Sequence, residues 1–179
     1  SGDLSDPLFP NILYSKVKQK KVHVDILINN AGFGSSGLFL DSSIKNYEEM
    51  LNVNIISLTK LTHLFLKDMV KNKTGGIINI SSLASFQAMP YFSVYSSSKA
   101  YVTSFTLGLY EEYRDQGIRV LGVCPGYTKT NFNKRADLPP ENSSKGYIMT
   151  SEAVVEESLR AYKNGKYIII NGIINKLTR

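Results

Sequence analysis

The chain reads as an α/β protein, a doubly wound parallel sheet, and three observations lead there. Four short runs are rich in β-branched residues and apolar on both faces, as strands covered on both sides are. Longer segments with apolar residues at helical spacing lie between them. The first three runs end in small, polar or glycine residues, so turn chemistry gathers at one edge of the sheet, where open α/β sheets bind ligands. Helix-sized crossovers between apolar strands make a βαβ series.

The first run, Val24-Asp25-Ile26-Leu27-Ile28-Asn29, passes into Asn30-Ala31-Gly32. From Ile44 to Lys71 a helix is predicted by Tyr47, Met50, Leu51, Ile55, Leu58, Leu61, Leu64, Phe65 and Met69, with Asp41, Ser42 and Ser43 as N-cap candidates. The second run, Gly76-Ile77-Ile78-Asn79-Ile80-Ser81, leads into Ser82. A second helix is expected over Phe92–Gln116, closed by Gly117. The third run, Ile118–Cys124, stops at Pro125-Gly126. Asn131 to Lys145, with Pro139-Pro140 and mixed charge, suits a mobile loop or short helix over a cleft. Thr150-Ser151 opens a third helix that runs through Glu152 to Lys163, with Gly165 after it, and Tyr167-Ile168-Ile169-Ile170 is the fourth run.

At 179 residues the chain is read as a single domain spanning 1–179, long enough for a sizeable core. Nothing approaches the roughly 20 consecutive apolar residues of a spanning helix, so no membrane span is expected. The opening Ser1-Gly2-Asp3-Leu4-Ser5-Asp6 does not make a signal peptide. Cys124 is the only cysteine, which excludes an internal disulfide and favours a reducing, cytoplasmic location. The N-x-S/T triplets at Asn72, Asn79 and Asn142 carry no weight without a secretory signal. The net charge of +6 raises a nucleic-acid reading, but Lys16-Val17-Lys18-Gln19-Lys20-Lys21 has no interleaved aromatics and reads as a solvated helix end. His23, His63 and one cysteine make no metal cluster, so neither nucleic acid nor metal is expected.

The chemistry lies in Tyr95-Ser96-Ser97-Ser98-Lys99 together with Ser82. On a helix, Tyr95 and Lys99 share one face, one turn apart. A phenol with a pKa of about 10 is a poor acid or base at neutral pH, and a nearby cation favours its ionised form. A hydroxyl from a strand end, such as Ser82, would bind the oxygen whose proton the tyrosine handles. The pattern points to proton transfer at a carbonyl or alcohol oxygen; the competing reading is a packed ring beside a solvated amine.

Asn29-Asn30-Ala31-Gly32 after a strand, Asn54 in the next helix, Ser82, Tyr95-x-x-x-Lys99 and Pro125-Gly126-Tyr127-Thr128-Lys129-Thr130 together resemble the short-chain dehydrogenase/reductase family, in order and spacing, from Asp3 to at least Thr130. The resemblance implies a Rossmann-like fold and hydride transfer between NAD or NADP and a small-molecule carbonyl or alcohol. It makes Tyr95 the general acid or base, and gives Lys99 the tasks of lowering its pKa and bonding the nicotinamide ribose. Ser82 would polarise the substrate oxygen, so Ser82 and Tyr95 are the substrate contacts. Asn54 would hold a water that links Lys99 to solvent; its competing reading is a buried asparagine stabilising a helix bend. Asn29, Ala31 and Gly32 would approach the cofactor by backbone, while Asn30 would tie strands together. Pro125, Gly126, Thr128 and Thr130 would border the nicotinamide, and Asp3 would stand near the adenine. A homodimer or homotetramer through the helices Ile44–Lys71 and Phe92–Gln116 is also implied.

The sequence departs from the family in lacking the opening strand, the G-x-x-x-G-x-G turn and the strand that separates NAD from NADP, two β-α units or roughly 60 residues. Gly32-Phe33-Gly34-Ser35-Ser36-Gly37 matches G-x-G-x-x-G, but Leu38-Phe39-Leu40 intervene before any helix cap, so it is read as a loop and not a pyrophosphate site. Two consequences are expected for this chain made alone: an open apolar edge at Val24–Asn29, and weak or absent dinucleotide binding. Tyr127, Phe132, Phe86, Met89 and Tyr91 are candidates for an apolar pocket or ordinary core and rim residues. Two other functions stay open: a truncated, non-catalytic interaction module, and an NAD-dependent epimerase or dehydratase of the same superfamily.

Overall fold

The computed structural model describes residues 2–136 and 148–177. Pro139, Pro140, Asn142 and most of the irregular stretch expected around them lie outside the described residues. The elements run α1 (Phe9–Gln19), β1 (Ile26–Asn29), α2 (Ile44–Leu51), α3 (Leu58–Asn72), β2 (Gly75–Ile80), α4 (Ser93–Tyr113), β3 (Ile118–Cys124), β4 (Thr128–Lys129), α5 (Phe132–Arg135), β5 (Met149–Thr150), α6 (Ser151–Lys163), β6 (Ile168–Ile170) and α7 (Ile173–Leu177). Strands β1, β2, β3 and β6 form one parallel sheet in that order, and β4 pairs with β5 in a short parallel ladder.

The side-chain alternation of β2 and β3 divides the core into two layers. Ile77 and Val120 point to one face, where Leu61, Phe65 and Met69 of α3 and Leu109 of α4 cover them. Helix α1 adds Tyr14, whose ring meets Phe65 edge-on at 5.2 Å. Ile78, Leu121 and Val123 point to the opposite face, where Ala161 of α6 packs against them. Burying each such side chain stabilises the fold by about 1.5–3 kcal/mol. Helices on both faces of a parallel sheet make the doubly wound, Rossmann-like fold that the sequence predicts.

Local signals end the helices where expected. Ser43 caps α2 by accepting from the Asn46 N–H at 3.2 Å, and Thr150 caps α6 by accepting from the Ala153 N–H at 3.2 Å. Gly117 turns the chain into β3 with φ of 78°, a left-handed conformation that costs glycine little.

One element differs from the reading. Ile44–Lys71 is not one regular α-helix: Asn52–Ser57 forms a π-helical turn between α2 and α3. Asn54 lies in this turn, 1% exposed and bonded to the β1 loop.

Among the described residues β1 pairs only with β2. Leu27 packs towards α3, whereas Ile26 and Ile28 point to the α6 face beyond that helix's reach and are 41% and 54% exposed. The open apolar edge expected at Val24–Asn29 is thus an open face as well.

Candidate active site

Strand β2 delivers Ser81 and Ser82 from its carboxyl end. The Ser81 hydroxyl donates to the Lys99 carbonyl oxygen at 2.9 Å and lies 2.7 Å from Thr103 Oγ1, which fixes the strand end against α4. Ser82 is half-buried; its oxygen accepts from the Ala84 N–H at 3.1 Å, and its side chain is near enough to the Tyr95 phenol to pull the phenol's pKa down.

Tyr95 lies between aromatic walls: Phe92 meets its ring edge-on at 5.2 Å, and Phe132 of α5 leans on it at 5.4 Å. Only 7% of the residue is exposed. Burial pushes the phenol above its ordinary pKa, while the Ser82 side chain pulls it down. The resemblance implied a phenol made more acidic by Lys99; in this arrangement desolvation wins and the phenol stays protonated at neutral pH. Lys99 is buried too, with Nζ 5.8 Å from the Tyr95 ring centroid and donating to the Ile80 carbonyl oxygen at 2.9 Å. Removal from water brings its pKa down to about 8.

Asn54 joins the β1 loop to this pair. Its Oδ1 accepts from the Phe33 N–H at 3.2 Å, and its Nδ2 donates to the Phe33 carbonyl oxygen at 3.0 Å and to Ser98 Oγ at 3.0 Å. A Cβ at Gly32 would lie 3.0 Å from Asn54 Oδ1 and 3.3 Å from Lys99 Nζ, so both polar groups border the space that glycine leaves. Gly34 has a comparable role: a Cβ there would lie 3.0 Å from the Phe132 ring and 3.3 Å from the Tyr95 ring. The Gly32–Gly37 stretch leads into coil and a short 3₁₀ turn at Phe39–Asp41, so it does not open a pyrophosphate-binding helix.

The other predicted residues divide by position. Ala31 and Gly32 expose their backbone beyond the carboxyl end of β1. Asn29 points inward, where its Nδ2 donates to Thr62 Oγ1 at 3.0 Å and to Asn79 Oδ1 at 2.8 Å. Asn79 continues the chain to Thr106 Oγ1 at 2.9 Å. The strand tie expected of Asn30 is thus made by Asn29, and Asn30 is exposed. The Pro125 carbonyl oxygen accepts from the Leu83 N–H at 2.8 Å, which draws the ends of β2 and β3 together. A side chain at Gly126 would run into the Asn175 carboxamide of α7, which would have to shift to admit it. Thr128 donates to the Gly126 carbonyl oxygen at 3.1 Å, and Thr130 accepts from the Phe132 N–H at 3.2 Å at the start of α5. Asp3 is exposed, and accepts from the Ser5 N–H at 2.9 Å, which holds its carboxyl below the usual range. The next residue, Leu4, accepts through its carbonyl oxygen from the Ser57 hydroxyl at 2.6 Å.

Among the pocket candidates, Phe132 and Met89 belong to the apolar cluster around Tyr95. Tyr91 is exposed at positive φ, its carbonyl oxygen held by the Gly37 N–H at 3.0 Å. Sequence reasoning missed Ser98, Thr103 and Asn175. Ser98 had a signal in its place beside Lys99, whereas Asn175 had none.

A short chain dehydrogenase family profile matches residues 1–140. A ketoacyl reductase from Nostoc sp. is 33% identical over 162 residues, 87% of this chain and 55% of that protein. The very-long-chain 3-oxoacyl-CoA reductase of Homo sapiens is 32% identical over 173 residues, 92% of this chain and 55% of that protein. A solved structure of a short-chain dehydrogenase from Sphingobium yanoikuyae in complex with NADPH superposes with a TM-score of 0.87 at 28% identity, over 94% of this chain and 65% of that one. The chain spans about half the length of the curated relatives it matches. With its order of site residues and its parallel sheet, the match over residues 1–140 makes the chain a member of the short chain dehydrogenase family.

Proposed function

We propose that the protein carrying this sequence is an NAD(P)-dependent oxidoreductase that reduces a carbonyl, with Tyr95 as the proton donor. The observation that carries the reading is the buried Tyr95 phenol with the Lys99 ammonium 5.8 Å from its ring, beside the Gly32 space that Lys99 Nζ and Asn54 Oδ1 border. The residues present fit the nicotinamide end of a dinucleotide. The side-chain-free space at Gly32 is bordered by Lys99 Nζ and Asn54 Oδ1, and the backbone of Ala31 and Gly32 is open beside it. Lys99, Ala31, Gly32, Pro125, Gly126, Thr128 and Thr130 would hold the group there, with Asp3 towards the adenine. When bound, the dinucleotide supplies the hydride.

The protein's own residues manage the proton. Ser82 binds the substrate oxygen and orients it at the Tyr95 hydroxyl. Burial keeps the phenol protonated, the form needed to donate as that oxygen gains negative charge. Lys99 stabilises the phenolate left behind and re-protonates it, and Asn54 holds a water on the route to solvent. Phe92 and Phe132 exclude bulk water from the ring and form an apolar wall for the rest of the substrate.

Two relatives named for reduction of a ketoacyl or 3-oxoacyl group support a 3-oxoacyl thioester as the first substrate to try. The test follows loss of reduced-nicotinamide absorbance against a carbonyl panel, using the protein from its complete reading frame. Turnover of 3-oxo thioesters is expected; folded protein that oxidises neither NADH nor NADPH with any carbonyl rejects the reading. A cytoplasmic homodimer or homotetramer through the helices of Ile44–Lys71 and Phe92–Gln116 is part of the same proposal. Sedimentation as a monomer rejects that part.

A further inference from the structure

We infer that Ser98 is a positioning residue for the proposed reaction, holding Asn54 against the turn of α4 that carries Tyr95 and Lys99; this rests on the reading of the site above. Ser98 is fully buried in α4. Its hydroxyl proton is committed to its own helix, donated to the Tyr95 carbonyl oxygen at 2.7 Å. Towards Asn54 the oxygen can therefore only accept, and it does so from Nδ2 at 3.0 Å.

Asn54 Nδ2 has two hydrogens, and the Phe33 carbonyl oxygen takes the other. With both donors engaged and Oδ1 on the Phe33 N–H, the carboxamide has one orientation, in which Oδ1 borders the Gly32 space shared with Lys99 Nζ. Three pieces of chain converge on this amide: the β1 loop through Phe33, the π turn through Asn54, and α4 through Ser98. Only the Ser98 bond links the amide to the helix of the proton donor among the hydrogen bonds of the described residues. Its loss leaves a donor unpaired on a side chain 1% exposed, and frees Asn54 from α4.

The test has an exchange arm and a kinetic arm. Hydrogen exchange of the Phe33 amide reads how firmly Asn54 is held. Ser98→Ala should lower its protection about tenfold, the exposed neighbour variant Ser97→Ala should leave it unchanged, and Ser98→Thr, which keeps the hydroxyl, should restore it. In the kinetic arm Ser98→Ala should lower kcat about tenfold with KM for the dinucleotide within about twofold. Introduced into Asn54→Ala, or Asn54→Ser if that does not fold, the same change should lower kcat by less than about twofold, because the residue it acts through is gone. Unchanged Phe33 protection in Ser98→Ala overturns the inference, as do losses of kcat that simply multiply. If the wild type turns over nothing, the oxidoreductase reading fails and takes the catalytic part of the inference with it; the exchange arm still accepts or rejects the hold on Asn54.

Discussion

The Lys99 ammonium donates to the Ile80 carbonyl oxygen at 2.9 Å, so the amine beside Tyr95 is held by the last residue of the strand that delivers Ser82. Movement of that strand end would shift Ser82 and Lys99 together. The arrangement also buries a charge, and burial costs stability while the charge remains.

Lys99 has its pKa brought down to about 8 in the folded protein, whereas the unfolded chain keeps the proton up to its ordinary value of 10.5. Between those values the unfolded state binds more protons, so stability rises with pH. From pH 7.5 to 9.5 the contribution of this group should rise by about 2 kcal/mol. Urea unfolding at both pH values should show that gain in the wild type and its loss in Lys99→Met. Equal pH dependence in the two proteins contradicts the buried, charged lysine.

The buried ladder Asn29–Asn79–Thr106 should matter more for folding than the neighbouring Asn30. Asn79→Ala leaves the Asn29 amide and the Thr106 hydroxyl short of a partner and should cost about 1–3 kcal/mol. Asn30→Ala, at an exposed position, should cost less than about 0.5 kcal/mol. A reversed order in chemical denaturation would return the strand tie to Asn30.

The exposed side chains of Ile26 and Ile28 should make the 179-residue chain associate when produced alone. Ile26→Lys with Ile28→Lys should delay the onset of light scattering on concentration, whereas Leu27→Lys, which charges the packed face, should lower the unfolding midpoint. No change in scattering from the double variant means that another surface drives association.

The 179-residue chain is also expected to bind NAD and NADP weakly. The backbone around Gly32 offers the nicotinamide end a place, but among the described residues no glycine turn opens a helix for the pyrophosphate. Calorimetric titration should give dissociation constants no tighter than about 1 mM, near the weak end of specific binding. A micromolar constant contradicts this.

The fold was legible wherever one physical signal acted alone. Ile118–Cys124 is apolar on both faces and flanked by Gly117 and Pro125, and β3 occupies those positions. Thr150 and Gly165 bracketed α6 because caps and left-handed turns are local. The π turn was hidden because Ile55, Leu58 and Leu61 keep helical spacing through it, and an inserted residue leaves that period almost intact. Two-residue β4 and β5 are too short for any periodicity. In the site, the residue types of Ser82, Tyr95 and Lys99 carry the proposed chemistry, but the direction of the phenol's pKa depends on how deeply Phe92 and Phe132 bury it, which spacing does not carry.

The most direct measurement compares kcat of the wild type and Tyr95→Phe on the best carbonyl substrate at neutral pH, with dinucleotide affinity measured on both. Removing the hydroxyl while keeping the ring between Phe92 and Phe132 should lower kcat by at least about 100-fold and leave dinucleotide affinity within about threefold. A Tyr95→Phe protein that turns over at the wild-type rate contradicts proton donation by Tyr95.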